Sequence, residues 1–312
     1  MLSRNINRLW HILKPETAEK VLKMSDVIIL GNGPAGISAA AYTARAGLET
    51  LVIGRDSGSL SKAGEIENYY GFPEPISGEQ LVRNGLDQAS RLGVTTIEDE
   101  VVGIQYDGGF TVQTKTEEYQ APIVILATGA ARRAPAIEGL RELEGKGVSY
   151  CAVCDAFFYR GKHVAVLGDG NYALHEAQEL LPVVGSVTVL TNGCEPAAAF
   201  PPEIPVDKRE IAALQGGKVL ETVRFKDGSA LPVSGVFVAQ GVASSGDFAR
   251  SIGAQTEGGR IVVDENMQTS VPGLYAAGDC TGGMLQISKA VYDGAKAATS
   301  AIQYYRKLKK AR

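Results

Sequence analysis

The stretch SDVIILGNGPAGISAAAYTARAGLETLVIG, residues 25–54, sets the fold class of this 312-residue chain. Val27 to Leu30 are all apolar, as in a strand buried on both faces of a parallel sheet. The glycine run GNGPAG follows at once, an alanine-rich helix continues to about Ala46, and a second strand covers Thr50 to Ile53. A GxGxxG turn between a strand and a helix is the fingerprint of a dinucleotide-binding unit.

Each residue of this turn has a physical task in such a unit. Gly31 permits the tight turn, Gly33 lets the backbone approach a pyrophosphate, and Gly36 lets helix and strand pack closely. Pro34 and Ala35 begin the helix, whose N-terminal amides and positive dipole end attract phosphate. We therefore expect the turn to hold a dinucleotide.

A second unit of the same kind lies in GKHVAVLGDGNYALHEAQELLPVVGSVTVLTNG, residues 161–193. Its strand Val164–Leu167 leads into the turn Gly168–Ala173, and a further strand covers Val187–Leu190. Repetition of the strand, glycine turn, helix and strand indicates a second dinucleotide-type domain. The sequence therefore predicts an α/β protein with two Rossmann-like nucleotide-binding domains.

The composition is that of an ordinary globular protein, with 45% hydrophobic and 21% charged residues. The net charge of −4 and the lack of a long basic run argue against nucleic acid as a partner. The longest apolar runs, such as APIVILATGA, are too short to cross a bilayer, so no membrane partner is expected.

Residues 1–23 are expected to form an N-terminal extension. Leu2, Ile6, Leu9 and Leu13 recur at helical spacing, which is typical of a short amphipathic helix on a membrane surface. The segment is also typical of a docked extension, or of a start site placed too early. It lacks the apolar core of a secretory signal, so a reducing cytoplasm is the expected location.

The sequence CAVCD, residues 151–155, carries the chemistry. Two cysteines at this spacing form a metal knuckle, a structural disulfide or a redox centre. A reducing compartment disfavours the structural disulfide. Zinc needs four ligands, whereas Cys194 and Cys280 are isolated in the sequence. A thiol pair can attack a disulfide and resolve the mixed disulfide, and Asp155 can carry the proton.

Five motifs then appear in a fixed order: GNGPAG, ENYYGFP at 67–73, ATG at 127–129, CAVCD, and LYAAGDC at 274–280. From about Met24 onward, this set resembles the low-molecular-weight thioredoxin reductase family. The resemblance implies FAD, a homodimer, thioredoxin as the partner, and two three-layer β/β/α domains. The FAD-binding domain would comprise residues 24–130 and 243–312, and the CxxC-bearing domain, residues 131–242, would be inserted into it.

The resemblance also implies roles for individual residues. Cys154 would face the flavin and Cys151 would attack the substrate disulfide, with Asp155 beside them. The residues implied to bind FAD are Gly31, Gly33, Pro34, Ala35, Gly36, Asn68, Val101, Gly129, Gly278, Asp279, Gln286 and Ile287. One position departs from the family pattern, because Ser57-Gly58-Ser59 stands where a Gly-Gly-Gln is usual.

The second glycine turn lacks the charges that NADPH requires. A 2′-phosphate needs arginines just after the second strand, but Thr191–Pro196 reads TNGCEP, and no Lys or Arg lies between Lys162 and Lys208. Lys62–Phe72 and Thr281–Val291 instead resemble the branch that takes electrons from ferredoxin. We therefore expect ferredoxin, rather than NADPH, as the donor.

Alternatives remain for the donor and for the second turn. A distant basic residue would restore NADPH binding, or the enzyme would run backwards as a dithiol oxidase that gives electrons to oxygen. In the first case the second turn would hold NADPH. As a separate alternative, the turn would hold another nucleotide, such as a second FAD. Ferredoxins are acidic, so the docking face should be locally basic. The basic residues expected there are Arg132, Arg133, Arg306, Lys307, Lys309, Lys310 and Arg312.

Overall fold

The computed structural model describes residues 23–129, 135–241 and 243–311. Its strands, in chain order, are β1 (Lys23–Met24), β2 (Val27–Leu30), β3 (Thr50–Gly54), β4 (Glu65–Ile66), β5 (Ile76–Ser77), β6 (Thr95–Glu98), β7 (Val101–Tyr106), β8 (Phe110–Thr114), β9 (Glu118–Ala121), β10 (Val124–Leu126), β11 (Val148–Ser149), β12 (His163–Leu167), β13 (Ser186–Leu190), β14 (Val206–Asp207), β15 (Ile211–Gln215), β16 (Thr222–Phe225), β17 (Ala230–Pro232), β18 (Gly235–Val238), β19 (Thr256–Glu257), β20 (Arg260–Ile261) and β21 (Leu274–Ala276).

The α-helices are α1 (Pro34–Arg45), α2 (Gly78–Arg91), α3 (Ala152–Asp155), α4 (Asn171–Leu180), α5 (Ser245–Ser251) and α6 (Ile287–Ala311). Short 3₁₀ turns cover Leu60–Lys62, Ala156–Tyr159 and Gly278–Thr281. Within the described residues, no helix is both long and apolar enough to cross a membrane.

Two five-stranded parallel sheets organise the chain. The first has the order β21-β10-β2-β3-β6 and the second has the order β11-β18-β12-β13-β14. In each sheet the strand before the glycine turn is central, and the chain crosses over on both sides of it. In chain order, all strands of the second sheet come after β10 and before β21 of the first sheet. The predicted fold class, two Rossmann-like domains with the second inserted into the first, is therefore confirmed.

The alternation of side chains along β2 explains the three layers of the first domain. Val27 and Ile29 pack in a cluster with α1 and α6. Ile28 and Leu30 point to the opposite face, where they share a cluster with Phe110 of the β1-β9-β8-β7 sheet. All four side chains of β2 are buried, because the sheet is covered on both faces.

Helix α6 crosses α1 at close range because its contact face carries small side chains. A Cβ at Gly294 would lie 2.1 Å from the carbonyl oxygen of Ala35, so only glycine fits there. Ala290, Ala297 and Ala298 are buried on the same helix. The helix covers Ile287–Ala311, in agreement with the run of small residues that its sequence carries.

Some sequence predictions fall on residues that the structure does not describe. The proposed helix in residues 1–22 lies outside the described residues, as do Arg132, Arg133 and Arg312. The domain limits near residues 130 and 242 also fall at the gaps, so those limits stay a prediction.

Candidate active site

In the first glycine turn, Gly31 and Gly36 pack tightly against the protein backbone, whereas Gly33 faces unfilled space. Gly31 has φ +113°, and a Cβ there would lie 2.2 Å from the carbonyl oxygen of Ala127. A Cβ at Gly36 would lie 1.8 Å from the carbonyl oxygen of Gly31. A Cβ at Gly33, in contrast, would meet no atom within 4 Å. This open space adjoins the N-terminus of α1, where helix amides are free to bind an anion.

The other residues expected at FAD follow the carboxyl ends of the same parallel strands. Val101 comes after β6, Gly129 comes after β10, and Gly278 and Asp279 come after β21. Gly278 lies beside the glycine turn, since its Cβ would be 2.9 Å from that of Ala35. This edge of a parallel sheet is where dinucleotides bind in such folds. The turn therefore fits a cofactor with a pyrophosphate.

The two amide side chains expected at the flavin contact each other. Asn68 donates a hydrogen bond from Nδ2 to Oε1 of Gln286 at 3.1 Å, across 218 residues of sequence. Ile287 lines a cavity of about 470 Å³ together with Asn32, Gly33 and Pro34. The volume is in the range of small-molecule sites. Asn68 and Gln286 were both expected at the flavin, and the fold brings them into contact.

A short carboxylate network supports Gly278. Its N–H donates to Oδ2 of Asp293 at 3.1 Å, and Asp293 also forms an ion pair with Lys289 at 2.7 Å. Asp293 is buried, so the ion pair and the hydrogen bond compensate its charge. The network holds the backbone before Asp279 against α6.

Cys151 and Cys154 form a disulfide, with their Cα atoms 5.4 Å apart. Cys151 precedes α3 and is only 5% exposed, whereas Cys154 is exposed. The Cys154 N–H donates to Cys151 Sγ at 3.2 Å. Cys154 Sγ lies 3.3 Å from the carbonyl oxygen of Arg250 in α5. The disulfide therefore lies between the inserted unit and α5.

Helix α5 connects the disulfide to the first cofactor edge. At its N-terminus, Ser245 N–H donates to Thr128 Oγ1 at 2.9 Å, and Thr128 N–H donates to Ser245 Oγ at 3.1 Å. Thr128 directly precedes Gly129. A seven-residue helix is about 10 Å long. The disulfide thus stands about one short helix away from the edge where the first cofactor is expected.

Two carboxylates flank the disulfide. Asp155 accepts a hydrogen bond from Ser149 Oγ at 2.7 Å, and Ser149 Oγ accepts the Cys151 N–H at 3.1 Å. On the other side, Oε2 of Glu176 in α4 accepts the Ala152 N–H at 2.7 Å. Asp155 was expected from the sequence, whereas Glu176 was missed.

Glu176 occupies an environment that favours its neutral form. It is 7% exposed, and this burial raises the pKa of its carboxyl to about 7. The Ala152 N–H and Arg250 act in the opposite direction, while Asp247 and Glu179 add to the rise. Glu176 lies four residues after buried Tyr172 on the same face of α4, a spacing that by itself indicates no role in the sequence.

The second glycine turn is covered by the chain that follows β13. The N–H groups of Ala197 and Ala198 donate to the carbonyl oxygen of Asp169 at 2.8 and 3.1 Å. Thr191 Oγ1 donates to the carbonyl oxygen of Cys194 at 2.6 Å. The loop therefore folds back against the turn.

The first cations after this loop are already engaged. Lys208 forms an ion pair with Glu195 at 2.5 Å, and Arg209 forms an ion pair with Asp207. Arg209 also donates to Ser229 Oγ at 2.7 Å. The strand end thus carries paired cations, where a 2′-phosphate would need free ones.

The two cysteines outside CAVCD that the structure describes are free thiols. Cys280 is buried, and its Sγ donates to the carbonyl oxygen of Ala277 at 3.3 Å. Burial raises the pKa of this thiol to about 11, so it is an unreactive group. Cys194 is exposed in the loop after β13.

The expected basic docking residues that the structure describes lie at the far end of α6. Arg306, Lys307, Lys309 and Lys310 are all exposed there. Lys309 also lies 4.7 Å from the centre of the Tyr305 ring. A 25-residue helix is about 37 Å long, so this end is distant from Gln286.

Comparison with known proteins gives a consistent result. A family model described as pyridine nucleotide-disulphide oxidoreductase matches residues 25–294. The thioredoxin reductase of Aquifex aeolicus is 37% identical over 280 residues, which are 82% of this chain and 85% of that protein.

Two solved structures extend the comparison. The atypical thioredoxin reductase TRi from Desulfovibrio vulgaris Hildenborough is 45% identical, with a TM-score of 0.85 over 90% of this chain and 98% of that one. A ferredoxin-flavin thioredoxin reductase from Clostridium acetobutylicum is 31% identical, with a TM-score of 0.67 over 92% of this chain and 99% of that one.

Proposed function

Since the chain belongs to the pyridine nucleotide-disulphide oxidoreductase family, we propose that it reduces thioredoxin, or a similar protein disulfide, with electrons from ferredoxin. It is a flavoprotein oxidoreductase of the thioredoxin reductase type, and the family implies FAD. The proposal adds the donor, the substrate and the roles of the individual residues.

Among the residues that the structure describes, no unpaired cation follows the end of β13 in the loop Thr191–Pro196 or at Lys208 and Arg209, and this observation carries the donor proposal. A 2′-phosphate carries about two negative charges and binds through charge-assisted hydrogen bonds. Thr191–Pro196 offers it no cation, and Glu195 adds a carboxylate that pairs with Lys208. The similarity to the ferredoxin-flavin thioredoxin reductase of Clostridium acetobutylicum also supports this proposal.

FAD, when bound, supplies the electron pair that opens the disulfide. The residues proposed to hold it are those of the first turn, with Gly33 facing the pyrophosphate and Asn68 and Gln286 near the flavin. Exposed Cys154 is proposed to face the flavin. Cys151 is proposed to attack the substrate disulfide after reduction.

Cys151 must become accessible to a protein substrate, although it is buried in this orientation. We propose that the inserted domain, residues 131–242, turns relative to the FAD-binding domain, residues 24–130 and 243–312. Val153, Phe157 and Phe158 are large exposed apolar side chains beside the disulfide, which supports a protein partner there.

A homodimer is also proposed. Tyr70 is 97% exposed, and Tyr42, Leu285 and Tyr292 are exposed as well. Exposed apolar residues grouped around the first cofactor site are typical of an interface between subunits. A reducing compartment, such as the cytoplasm, is the proposed location, because the chemistry needs Cys151 and Cys154 to cycle between disulfide and thiols.

The test is anaerobic reduction of the purified holoprotein, followed by flavin absorbance. One sample receives reduced ferredoxin and another receives NADPH, with thioredoxin added afterwards. We expect bleaching and thioredoxin reduction with ferredoxin, and neither with NADPH. Rapid bleaching by NADPH would replace the ferredoxin proposal, and the intact turn Gly168–Ala173 would then hold that nucleotide.

A Cys154→Ser variant and an oxygen electrode complete this test. The variant should keep FAD and lose thioredoxin reduction, because the resolving sulfur is absent. Oxygen consumption driven by reduced thioredoxin would instead establish the dithiol oxidase. One FAD per chain is expected, and two would show that the second turn also binds FAD.

A further inference from the structure

The surroundings of Cys151 contain a carboxyl group that the proposed chemistry has not yet used. Glu176 contacts the chain one residue after Cys151, through the 2.7 Å hydrogen bond to the Ala152 N–H. Cys151 and Glu176 line the same cavity, of about 30 Å³, with Tyr172 and Asp247. That volume has room for about one water molecule, and the polar lining offers it hydrogen-bond partners.

We propose that Glu176 is the residue that holds the proton exchanged with Cys151 during disulfide reduction, acting through a water in this cavity. This inference rests on the proposed function, because it assumes that Cys151 is the sulfur that attacks the substrate. Glu176 is a positioning residue in this scheme, since the structure shows its contact with the backbone of Ala152 and not with the sulfur.

The proton and electron balance is simple. Opening the Cys151–Cys154 bond takes two electrons, which FAD would supply when bound, and gives two thiolates. The Cys151 thiolate takes one proton from Glu176, and Cys154 stays a thiolate. When Cys151 forms a bond to a substrate sulfur, its proton returns to Glu176 and the other substrate sulfur leaves as a thiolate. Cys154 then attacks Cys151, which restores the disulfide and releases the second substrate thiolate.

Asp155 is less suited to this exchange at Cys151. Its carboxylate accepts the Ser149 hydroxyl at 2.7 Å, and that hydroxyl already accepts the Cys151 N–H. Glu176 is more deeply buried, and burial raises the pKa of its carboxyl to about 7, so it can hold or release a proton at neutral pH. Asp155 remains the neighbour of Cys154.

Glu176 also stays with Cys151 when the domains move. Both belong to the inserted unit, on α4 and before α3, whereas Asp247 and Arg250 belong to α5. Separation from α5 would admit water and relieve the burial that favours the neutral carboxyl. Glu176 would then be ionised at neutral pH, and so free to take up a proton, in the orientation in which Cys151 meets its substrate.

The charged and titratable groups around Glu176 come from three parts of the chain. Tyr172, His175 and Glu179 lie on α4, Asp247 and Arg250 lie on α5, and Tyr150 precedes Cys151. Strand β7 contributes Val102 to Gln105 and β8 contributes Gln113, none of which titrates. Glu179 therefore serves as a matched control, because it lies one turn from Glu176 and lines the same cavity.

The experiment is an infrared difference spectrum between the disulfide form and the dithiothreitol-reduced form, without ferredoxin, NADPH or thioredoxin. Below pH 7, where Glu176 is protonated in both forms, we expect reduction to shift its carboxylic acid C=O band, because the water between the two groups gains the Cys151 thiol as a partner, and to produce a thiol S–H band. Glu176→Gln should lack the acid band, and Glu179→Gln should retain it. In the wild-type disulfide form the band should disappear as the pH rises through about 7.

Kinetics provide the second readout. Glu176→Gln keeps an amide oxygen to accept the Ala152 N–H, so the fold of α3 is preserved. Loss of the proton should lower thioredoxin reduction about a hundredfold and remove the pH dependence near neutrality. An acid band shared by wild type and Glu176→Gln would overturn the inference, whichever donor the enzyme uses. Failure of both donors with the expected band would overturn only the proposed function.

Discussion

The two glycine turns have the same backbone design and different surroundings. Gly31–Gly36 opens onto free space at Gly33, and Gly278 lies beside it. Gly168–Ala173 is followed by a loop that folds back onto it and brings no free cation. A glycine turn supplies only the capacity to bind a pyrophosphate. The residues beyond the turn decide which nucleotide binds there, or whether one does.

The largest expected effect comes from giving the second turn the charges that it lacks. In the double variant Cys194→Arg/Glu195→Arg, two cations would stand at the end of β13, and Lys208 would lose its carboxylate partner. Each charge-assisted hydrogen bond contributes about 1.5–3 kcal/mol, so kcat/KM for NADPH should rise about a hundredfold or more. Steady-state thioredoxin reduction measures it.

A neutral pair of substitutions controls for the loss of the native side chains. Cys194→Ser/Glu195→Gln removes the thiol and the carboxylate without adding positive charge. It should leave NADPH inactive as a donor. If the arginine variant gains nothing over this control, the folded loop rather than the missing charge excludes the nucleotide.

The next largest effect is expected on FAD binding when Gly33 of the first turn is changed, in comparison with Gly170, its equivalent in the second turn. Gly33→Ala should weaken FAD binding roughly tenfold or more, about 1.4 kcal/mol, because its Cβ enters the space reserved for the pyrophosphate. It should not destabilise the FAD-free protein, since no protein atom lies within 4 Å of that Cβ. FAD content after dialysis and thermal unfolding measure the two quantities.

Gly170→Ala is the counterpart in the second turn. Its Cβ would meet the carbonyl oxygen of Gly241 at 3.5 Å, an ordinary contact. Ferredoxin-driven activity and FAD content should stay unchanged. A loss of activity in this variant alone would show that the second turn has a bound nucleotide after all.

A smaller effect, on the alkylation rate of Cys151, is expected at the contact between α4 of the inserted unit and β7. His175 of α4 lies on Gly103 of β7, and a Cβ at Gly103 would be 2.7 Å from His175 Nε2. Gly103→Ala should push α4 away from β7 and raise the alkylation rate of reduced Cys151 severalfold. Gly109→Ala is the control, because its Cβ would meet Ala121 at 3.8 Å. Equal rates in both variants would contradict a role of this contact in shielding Cys151.

The pH dependence of this contact has a definite sign. Burial lowers the pKa of His175, and the Glu179 carboxylate acts against this shift. The closed orientation therefore loses stability as the pH falls through the lowered pKa, because the imidazole must then be charged. Cys151 should be alkylated faster, relative to its thiolate fraction, at the acid end of the range.

Much of the fold could be predicted from sequence because strand, glycine turn and helix obey local rules. The need for glycine at positions 31, 33 and 36 follows from the geometry of the turn itself. The pairing of Cys151 with Cys154 likewise follows from their spacing of three residues in CAVCD. Glu176 could not be assigned a role from sequence. Its environment depends on α3 and α5, which lie far from it in the chain, and the burial of a carboxylate follows from their packing.

The smallest effect is expected at the basic end of α6. Lys307→Glu/Lys310→Glu reverses two exposed charges that stand at the far end of a helix about 37 Å long, counted from Ile287. Charges separated by several times the Debye length, about 8 Å at physiological salt, are screened from one another. A ferredoxin that docks near the first cofactor site should therefore lose less than about twofold in kcat/KM. A tenfold loss at that salt concentration would place the ferredoxin on the α6 end instead, and would confirm the sequence-based docking prediction for these lysines.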